Sequence, residues 1–304
     1  MVSETDLMSN REALENGSAA PAARPASGDL RLVPAVERAV LLLDALAGAG
    51  RPLSLADLAR ELRLPKSSLH GLLATLVALG LARRDPEGQF ALGVKPLQWA
   101  DALVSQSDVL RAFDQHARAF PALAAETVML AVLDGTAVTY LSCRQGSRPL
   151  AVNFRVGGRF PAASTSSGKA MLSSLPEAQV RALFGEQPLA RLTRHGVASV
   201  GALLRQLGQA RRRGYAVDDE ETAQGMQCFG APVFGARQPQ AIAAVAVSLI
   251  KAGLSKPRRD EIVDAITGLA RAISADLGGS PPPVSPSPMS PPTVSPSPVS
   301  PSVR

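Results

Sequence analysis

The segment from residue 54 to residue 92, SLADLARELRLPKSSLHGLLATLVALGLARRDPEGQFAL, constrains this chain more than any other. Leu55, Leu58, Ala59 and Leu62, and then Leu69, Leu72, Leu73, Leu76 and Val77, recur at helical spacing, so two short helices each bury one stripe. Ser54, with Asp57 three residues on, reads as the N-cap of the first. Pro65 stops that helix, because a residue before proline is pushed out of the helical region. Ser67 or Ser68 is expected to cap the second helix, and Gly80 to close it. A helix before them opens at Pro34, with Val36, Ala39, Val40, Leu43 and Leu46 at helical spacing, and ends at Gly48 and Gly50. After Gly80, Leu81–Arg84 reads as a strand, Asp85–Gly88 as a turn and Gln89–Leu92 as a return strand. Helices joined by a short turn and followed by a hairpin make a winged helix-turn-helix. That order is more specific than an isolated helix-turn-helix pattern.

In such a unit the second short helix is the one that reads DNA. Lys66, Ser67, Ser68 and His70 cannot all face the leucine core. They lead a helix whose free N–H groups and dipole favour phosphate, and their donors and acceptors suit base edges in the major groove. Arg83 and Arg84 on the hairpin are placed to hold the phosphate backbone. The alternative is that the serines only cap and Lys66 is solvated. Charge supports the first reading locally: residues 60–84 carry five Lys or Arg against Glu61 alone. The net charge of +6 over the whole chain permits a polyanionic partner without specifying one.

A length of 304 residues suggests two domains, and a hydrophobic content of 46% is ample for buried cores. Two cysteines, Cys143 and Cys228, make no disulfide framework and fit a reducing compartment. The opening MVSETDLMSNRE lacks a basic start followed by an apolar stretch, so no signal peptide is expected, and the apolar run near 241–250 is too short to span a bilayer. The expectation is a soluble cytoplasmic protein with no membrane partner. Five regions follow: a flexible arm over 1–31, the winged unit over 32–93, a linker helix over 94–110, a mixed domain over 111–279 and a Pro/Ser tail over 280–304. The tail repeats VSPSP and reads as extended, either a solvated appendage or a docking peptide. In the linker, Leu97, Ala100 and Val104 form one apolar stripe, which suits a dimer contact or a cover over the chain's own domain.

The region 111–279 mixes the two periods, an α+β pattern. Strands are expected near 127–133, 137–144, 148–154, 214–219, 226–234 and 242–250. Helices are expected near 111–126, 165–175, 176–184, 199–213 and 255–277. The last has Ser255 as N-cap, Pro257 in its first turn and Ile262, Ile266, Leu269 and Ile273 inward. Unbroken apolar residues over 242–249 suggest a strand covered on both faces. The segment Ser164–Ala170 (STSSGKA) opens a helix whose start, with several hydroxyls, suits a carboxylate. It is no P-loop, since Lys169 is followed by Ala170. The run Asp218–Glu221 invites a metal reading, but neighbours on a strand alternate faces, and a solvated or ion-pairing run is the simpler one.

Several of these stretches, in this order, resemble the IclR-type bacterial transcriptional regulators. They are PAVERAVLLLDAL, SLADLARELRLPKSSLHGLLATLVALGLARRD, FALG, VGGRFPAASTSSGKAML and GYAVDDEETAQGMQCFGAPVF. The resemblance covers about residues 32–278. It implies a winged helix-turn-helix, a linker helix and a GAF-like effector domain, in homodimers or homotetramers on palindromic double-stranded operators. It also implies control by small metabolites, often carboxylates, with no cofactor. Carried over by position, it assigns effector contact to Ser166, Ser167, Asp218, Met226, Cys228 and Ser248. Two polar positions of the usual pocket are occupied here by Ala163 and Ala246, and Gly71 stands where the recognition helix usually has arginine. Gly71 therefore joins the DNA-facing set as an altered position. Cys228 has a second reading as a small buried hydrophobe.

Other function classes are weighed on the same residues. The three histidines, His70, His116 and His195, have no Cys or His neighbour at ligand spacing, and no nucleophile elbow or dinucleotide fingerprint occurs. The expectation is not an enzyme. An α/β enzyme, and a metabolite-binding module without specific DNA binding, stay open as alternatives.

Overall fold

The computed structural model describes residues 32–147 and 154–280. The expected arm over 1–31, nearly all of the strand expected near 148–154 and the tail beyond Ser280 lie outside them.

Three helices open the chain: α1 (Pro34–Gly48), α2 (Leu55–Leu62) and α3 (Lys66–Ala78). The hairpin of β1 (Ala82–Arg84) and β2 (Phe90–Leu92) follows, with Ala82 paired to Leu92 and Arg84 to Phe90. Leu53 exchanges two backbone hydrogen bonds of 2.8 Å with Phe90, which ties the α1–α2 connection to the hairpin. Leu42, Leu46, Leu58, Leu69, Leu73, Leu76 and Phe90 form the shared core. In α1 the buried positions are Leu42, Ala45 and Leu46. Val36 and Val40, expected inside, are exposed. This helix is apolar nearly all round, so periodicity offers two stripes and packing against the leucines of α2 and α3 selects one.

The two helices expected over 94–110 and near 111–126 meet earlier than expected, and the second ends at His116. α4 (Lys95–Ser105) buries none of its residues, and α5 (Asp108–His116) buries Leu110, Ala112 and Phe113. The break falls where the Ser107 side chain accepts from the N–H of Leu110 and starts a new helix.

The remaining elements build one antiparallel sheet. The strands are β3 (Thr127–Asp134), β4 (Ala137–Arg144), β5 (Arg159–Pro161), β6 (Ala216–Asp219), β7 (Met226–Phe234) and β8 (Ala241–Ile250), in the spatial order β5-β4-β3-β8-β7-β6. β5, absent from the expected strands, is three residues with proline at its end. The helices are α6 (Ser166–Leu172), α7 (Glu177–Phe184), α8 (Val200–Arg213) and α9 (Lys256–Asp276). Side chains alternate along strands, so β8 sends Val245, Val247 and Leu249 into the core with Ile262, Ile266, Leu269 and Ile273 of α9. Its Ala244 and Ala246 enter the opposite core, with Met171, Leu172, Leu203 and Leu207 of α6 and α8. The uninterrupted apolar run in β8 follows from that double burial. α9 starts as its sequence indicates, with the Ser255 hydroxyl accepting from the N–H of Arg258 and Pro257 in the first turn.

Candidate functional site

Two surfaces gather the residues of interest. The first is built by α2, α3 and the hairpin. Ser54 and Asp57 satisfy each other's backbone N–H groups, which holds the start of α2. The hydrogen bonds from Ser54 hold the Asp57 carboxyl below its ordinary range. Arg63 ends α2 in the left-handed region at φ 53°, and Leu64–Pro65 carries the chain into α3. The N-cap of α3 is Pro65, with no side-chain cap. Ser67 and Ser68 therefore sit inside the first turn, contrary to the capping role expected for them. Without a capping hydroxyl, the first turn leaves backbone N–H groups to solvent or to a ligand.

Along α3, Leu69, Leu73 and Leu76 are buried, while Lys66, Ser67, His70 and Gly71 are exposed and Ser68 is half-buried. The same outer face continues through Ala74, Thr75 and Ala78. Thr75 donates its hydroxyl to the Gly71 carbonyl at 2.9 Å. A Cβ at Gly71 would meet no atom within 4 Å, so packing does not require glycine there. The outermost line of the helix, Ser67–Gly71–Ala74–Ala78, is thus made of small side chains. Gly80 closes α3 with φ 73°; its N–H bonds to the Val77 carbonyl and that of Leu81 to Leu76.

Arg83 and Arg84 are both exposed but point to opposite faces of the ribbon. Arg84 lies across from Phe90, its guanidinium carbon 5.7 Å from the ring centroid. Arg83 lies across from Ala91.

The second surface is the face of the large sheet beneath α6. The register aligns Asp218 with Cys228, Cys228 with Ser248 and Ser248 with Thr127, a polar row across β6, β7, β8 and β3. All four are buried. The Cys228 thiol and Ser248 hydroxyl are 3.2 Å apart, and the Thr127 hydroxyl has no hydrogen-bond partner. One oxygen of Asp218 accepts from the N–H groups of Glu221 (2.8 Å) and Thr222 (3.1 Å) and so shapes the loop after β6. Burial pushes the Asp218 carboxyl up, against the pull of Lys169 and those hydrogen bonds. Burial also raises the Cys228 thiol, reinforced by the neighbouring Asp218 charge.

α6 supplies the roof. Its N-cap is Thr165, whose hydroxyl accepts from the Gly168 N–H at 3.0 Å, and Ser166 and Ser167 are buried behind it. A Cβ at Gly230 would fall 2.6 Å from the Ser166 carbonyl, so glycine at that point of β7 lets the helix start lie directly on the strand. Met226 shares this face two residues before Cys228. Tyr140 adds an aromatic wall with Phe154 and Phe160, at ring centroids 5.3 and 5.5 Å away. Burial pushes its hydroxyl above its ordinary range, with the neighbouring Ser167 pulling the other way.

The carboxylates after Val217 disperse. Asp219 and Glu220 pair with Lys251 at 2.9 and 2.6 Å, and Glu221 pairs with Lys169 at 2.5 Å. Among the described residues no three His, Cys, Asp or Glu side chains gather as a metal site, and no helix is long and apolar enough to cross a membrane.

Sequence reasoning missed Thr127, Tyr140 and the Lys169–Glu221 pair. The first two show only once the strand register is known. The third joins residues 52 positions apart, with no local signal.

Residues 35–86 match the family described as IclR helix-turn-helix domain, and residues 101–275 the one described as bacterial transcriptional regulator IclR C-terminal. The HTH-type transcriptional regulator XynR of Escherichia coli is 30% identical over 247 residues, which span 80% of this chain and 98% of that protein. The crystal structure of the Agobacterium tumefaciens repressor BlcR shares 37% identity and a TM-score of 0.52, covering 81% of this chain and 97% of that one. An IclR homolog from Microbacterium hydrocarbonoxydans, crystallised with 4-hydroxybenzoate, shares 25% identity and a TM-score of 0.67 over 81% of this chain and all of that one.

Proposed function

The chain belongs to the IclR family of bacterial transcriptional regulators, and from that premise we propose that α3 and the hairpin bind a palindromic operator under control of a small organic acid held beneath α6. DNA-binding regulation, not catalysis, is its function, as it is for its curated relatives. The observation that carries the DNA reading is the outward first turn of α3 beside two exposed arginines. Lys66, Ser67, Ser68 and His70 face the groove edges, and Arg83 and Arg84, on opposite faces of the ribbon, hold different phosphates. Gly71, Ala74 and Ala78 let the helix lie close to the bases, where Ala74 meets thymine methyl groups by apolar contact.

For the effector, the buried polar row and the α6 serines support a small acid. Ser166, Ser167, Cys228 and Ser248 offer O–H or S–H donors, and Met226 an apolar wall. Burial raises the Asp218 carboxyl, and the nearby Lys169 charge offsets part of the repulsion between Asp218 and a carboxylate ligand. The homolog crystallised with 4-hydroxybenzoate binds such an acid.

Leu97, Trp99, Leu103 and Val104 of α4, and Val36 and Val40 of α1, are exposed and support self-association as a homodimer or homotetramer. The proposed division is 32–93 for DNA, 94–110 for the linker and 111–279 for the effector. Effector binding shifts the operator equilibrium only if it favours one arrangement of the paired linkers over another.

Fluorescence anisotropy with the DNA upstream of the chain's own gene tests both halves. Lys66→Ala weakens binding, and Ser248→Ala leaves effector-free binding intact but blunts the response to 4-hydroxybenzoate and smaller carboxylates. Unchanged binding in Lys66→Ala overturns the DNA half; an unchanged response in Ser248→Ala overturns the effector half.

A further inference from the structure

We propose that the free edge of the sheet at β6 carries a second small-molecule site, separate from the face beneath α6, for a small carboxylate that also bears an amino or hydroxyl group. A cavity of about 280 Å³ lies along this edge, which is amino-acid scale and just below the usual range of ligand pockets. Its lining comes from α6 (Lys169), α8 (Gln206), the loop after β6 (Glu221), β7 (Gln227) and α9 (Arg259), with Arg213 at the end of α8. None of Met226, Cys228 or Ser248 takes part.

The case rests on groups that folding buries here and leaves unsatisfied. Glu221 is 4% exposed and Gln227 6% exposed. Lys169 donates to one oxygen of Glu221 at 2.5 Å and to Gln206 at 2.8 Å, while the other Glu221 oxygen has no partner. Gln227 donates its amide N–H to Asp219 at 3.0 Å, and its amide oxygen has no partner. The Arg259 Nε–H is likewise buried and unpaired. Leaving such groups unmet is costly, and native interiors rarely do so without a reason.

The pattern of unmet groups specifies the ligand. Two acceptors, one of them a carboxylate oxygen, call for an ammonium or hydroxyl donor. Neither carboxylate of the cavity pairs with an arginine: Glu221 pairs through one oxygen with Lys169, and Asp219 pairs with Lys251. Arg259 and Arg213 have no carboxylate partner among the described residues, and Arg213 is stacked 4.6 Å over Tyr215 with its Nε–H on the Tyr215 carbonyl. Guanidinium groups in that state favour an anion, and a carboxylate fits their fork. Amino acids and hydroxy acids carry both features.

The location also gives the site a route to the effector face. α6 presents Ser166 and Ser167 to the sheet and Lys169 to this cavity. Asp218 holds the loop in which Glu221 sits. A ligand on Glu221 therefore acts on both structures that frame the effector face.

The test uses calorimetry on the full chain with two isosteric pairs, L-serine with glycerate and L-glutamate with 2-hydroxyglutarate. The expected result is saturable binding of at least one compound. The amine or hydroxyl member of its pair that binds better identifies the source. Arg259→Gln weakens that binding about tenfold or more, the scale of one charge-assisted hydrogen bond, and Ser248→Ala leaves it unchanged. Should Arg259→Gln not fold, Gln227→Leu takes its place with the same expectation. No binding by any of the four up to about 10 mM identifies a cavity that holds only water and overturns the proposal. So does binding that Ser248→Ala abolishes, because that places the ligand beneath α6.

Discussion

Lys169→Met removes the cation from a pair that folding has taken almost wholly out of water. The Lys169 side chain is 1% exposed and that of Glu221 5%. Methionine keeps most of the volume and loses the charge, so the effect is electrostatic rather than a cavity. Breaking a buried pair from one side costs about 3–5 kcal/mol, because the remaining charge stays desolvated and unpaired. For a domain of this size, each kcal/mol lowers Tm by roughly 2–4 °C, so a fall of roughly 6–20 °C is expected. Lys169→Met with Glu221→Leu removes both charges and should recover most of the loss, since apolar replacement of a whole buried pair is often neutral. Burial already holds the Glu221 carboxyl above its ordinary range despite Lys169, and loss of the lysine raises it further. A raised carboxyl means that the folded protein keeps a proton the unfolded chain releases, so stability falls as pH rises between the two values. Lys169→Met should therefore regain stability as pH is lowered towards the ordinary glutamate range. Urea unfolding followed by circular dichroism measures all three. A single variant within about 1 kcal/mol of the parent, or a double variant as unstable as the single, would refute a buried ion pair here.

Two further outcomes follow from the same structure. Gly230→Ala pushes a methyl group against the backbone of Ser166, and overpacking of this kind costs about 1–3 kcal/mol; thermal unfolding should show the loss, and a parent-like Tm would mean that α6 does not lie on β7. Replacing operator thymines by deoxyuridine removes only the methyl group, so at a base read by Ala74 affinity should fall about fourfold, the roughly 0.8 kcal/mol of burying one such group. Anisotropy measures the change, and uracil substitution without effect at every half-site position would remove Ala74 from the reading surface.

The parts of the fold that sequence revealed are those with strong local signals. Ser54 with Asp57, Ser255 with Pro257, and the isoleucine spacing of α9 act over one or two turns, and each appears as expected. β7 runs from Met226 to Phe234, the expected bounds, and β8 starts one residue before its expected bound, because their apolar runs end at glycine- and charge-rich turns. Where local signals conflict, reading along the chain failed. α1 is apolar on two faces, and only its neighbours decide between Val40 and Leu42. Ser105–Asp108 is a polar stretch that could equally continue a helix or cap a new one, so the boundary between the two helices was expected near 110 and not at Ser107. Pro65 took the capping position from the serines because it fixes the turn out of α2. On the sheet face beneath α6, Cys228 and Ser248 were reached through the family resemblance, while Thr127 and Tyr140 depend on strand order. The partner of Lys169 depends on a contact across 52 residues, which no periodicity encodes.

The most direct test of the account is the salt dependence of operator affinity for the parent chain and for Lys66→Ala, Arg83→Ala and Arg84→Ala. Each phosphate contact contributes a slope of about −0.9 in log affinity against log salt. If α3 and the hairpin lie on DNA as described, each variant that removes a phosphate contact should bind more weakly and flatten the slope by about one unit. Parent-like affinity and slope in all three would mean that this surface does not touch the duplex.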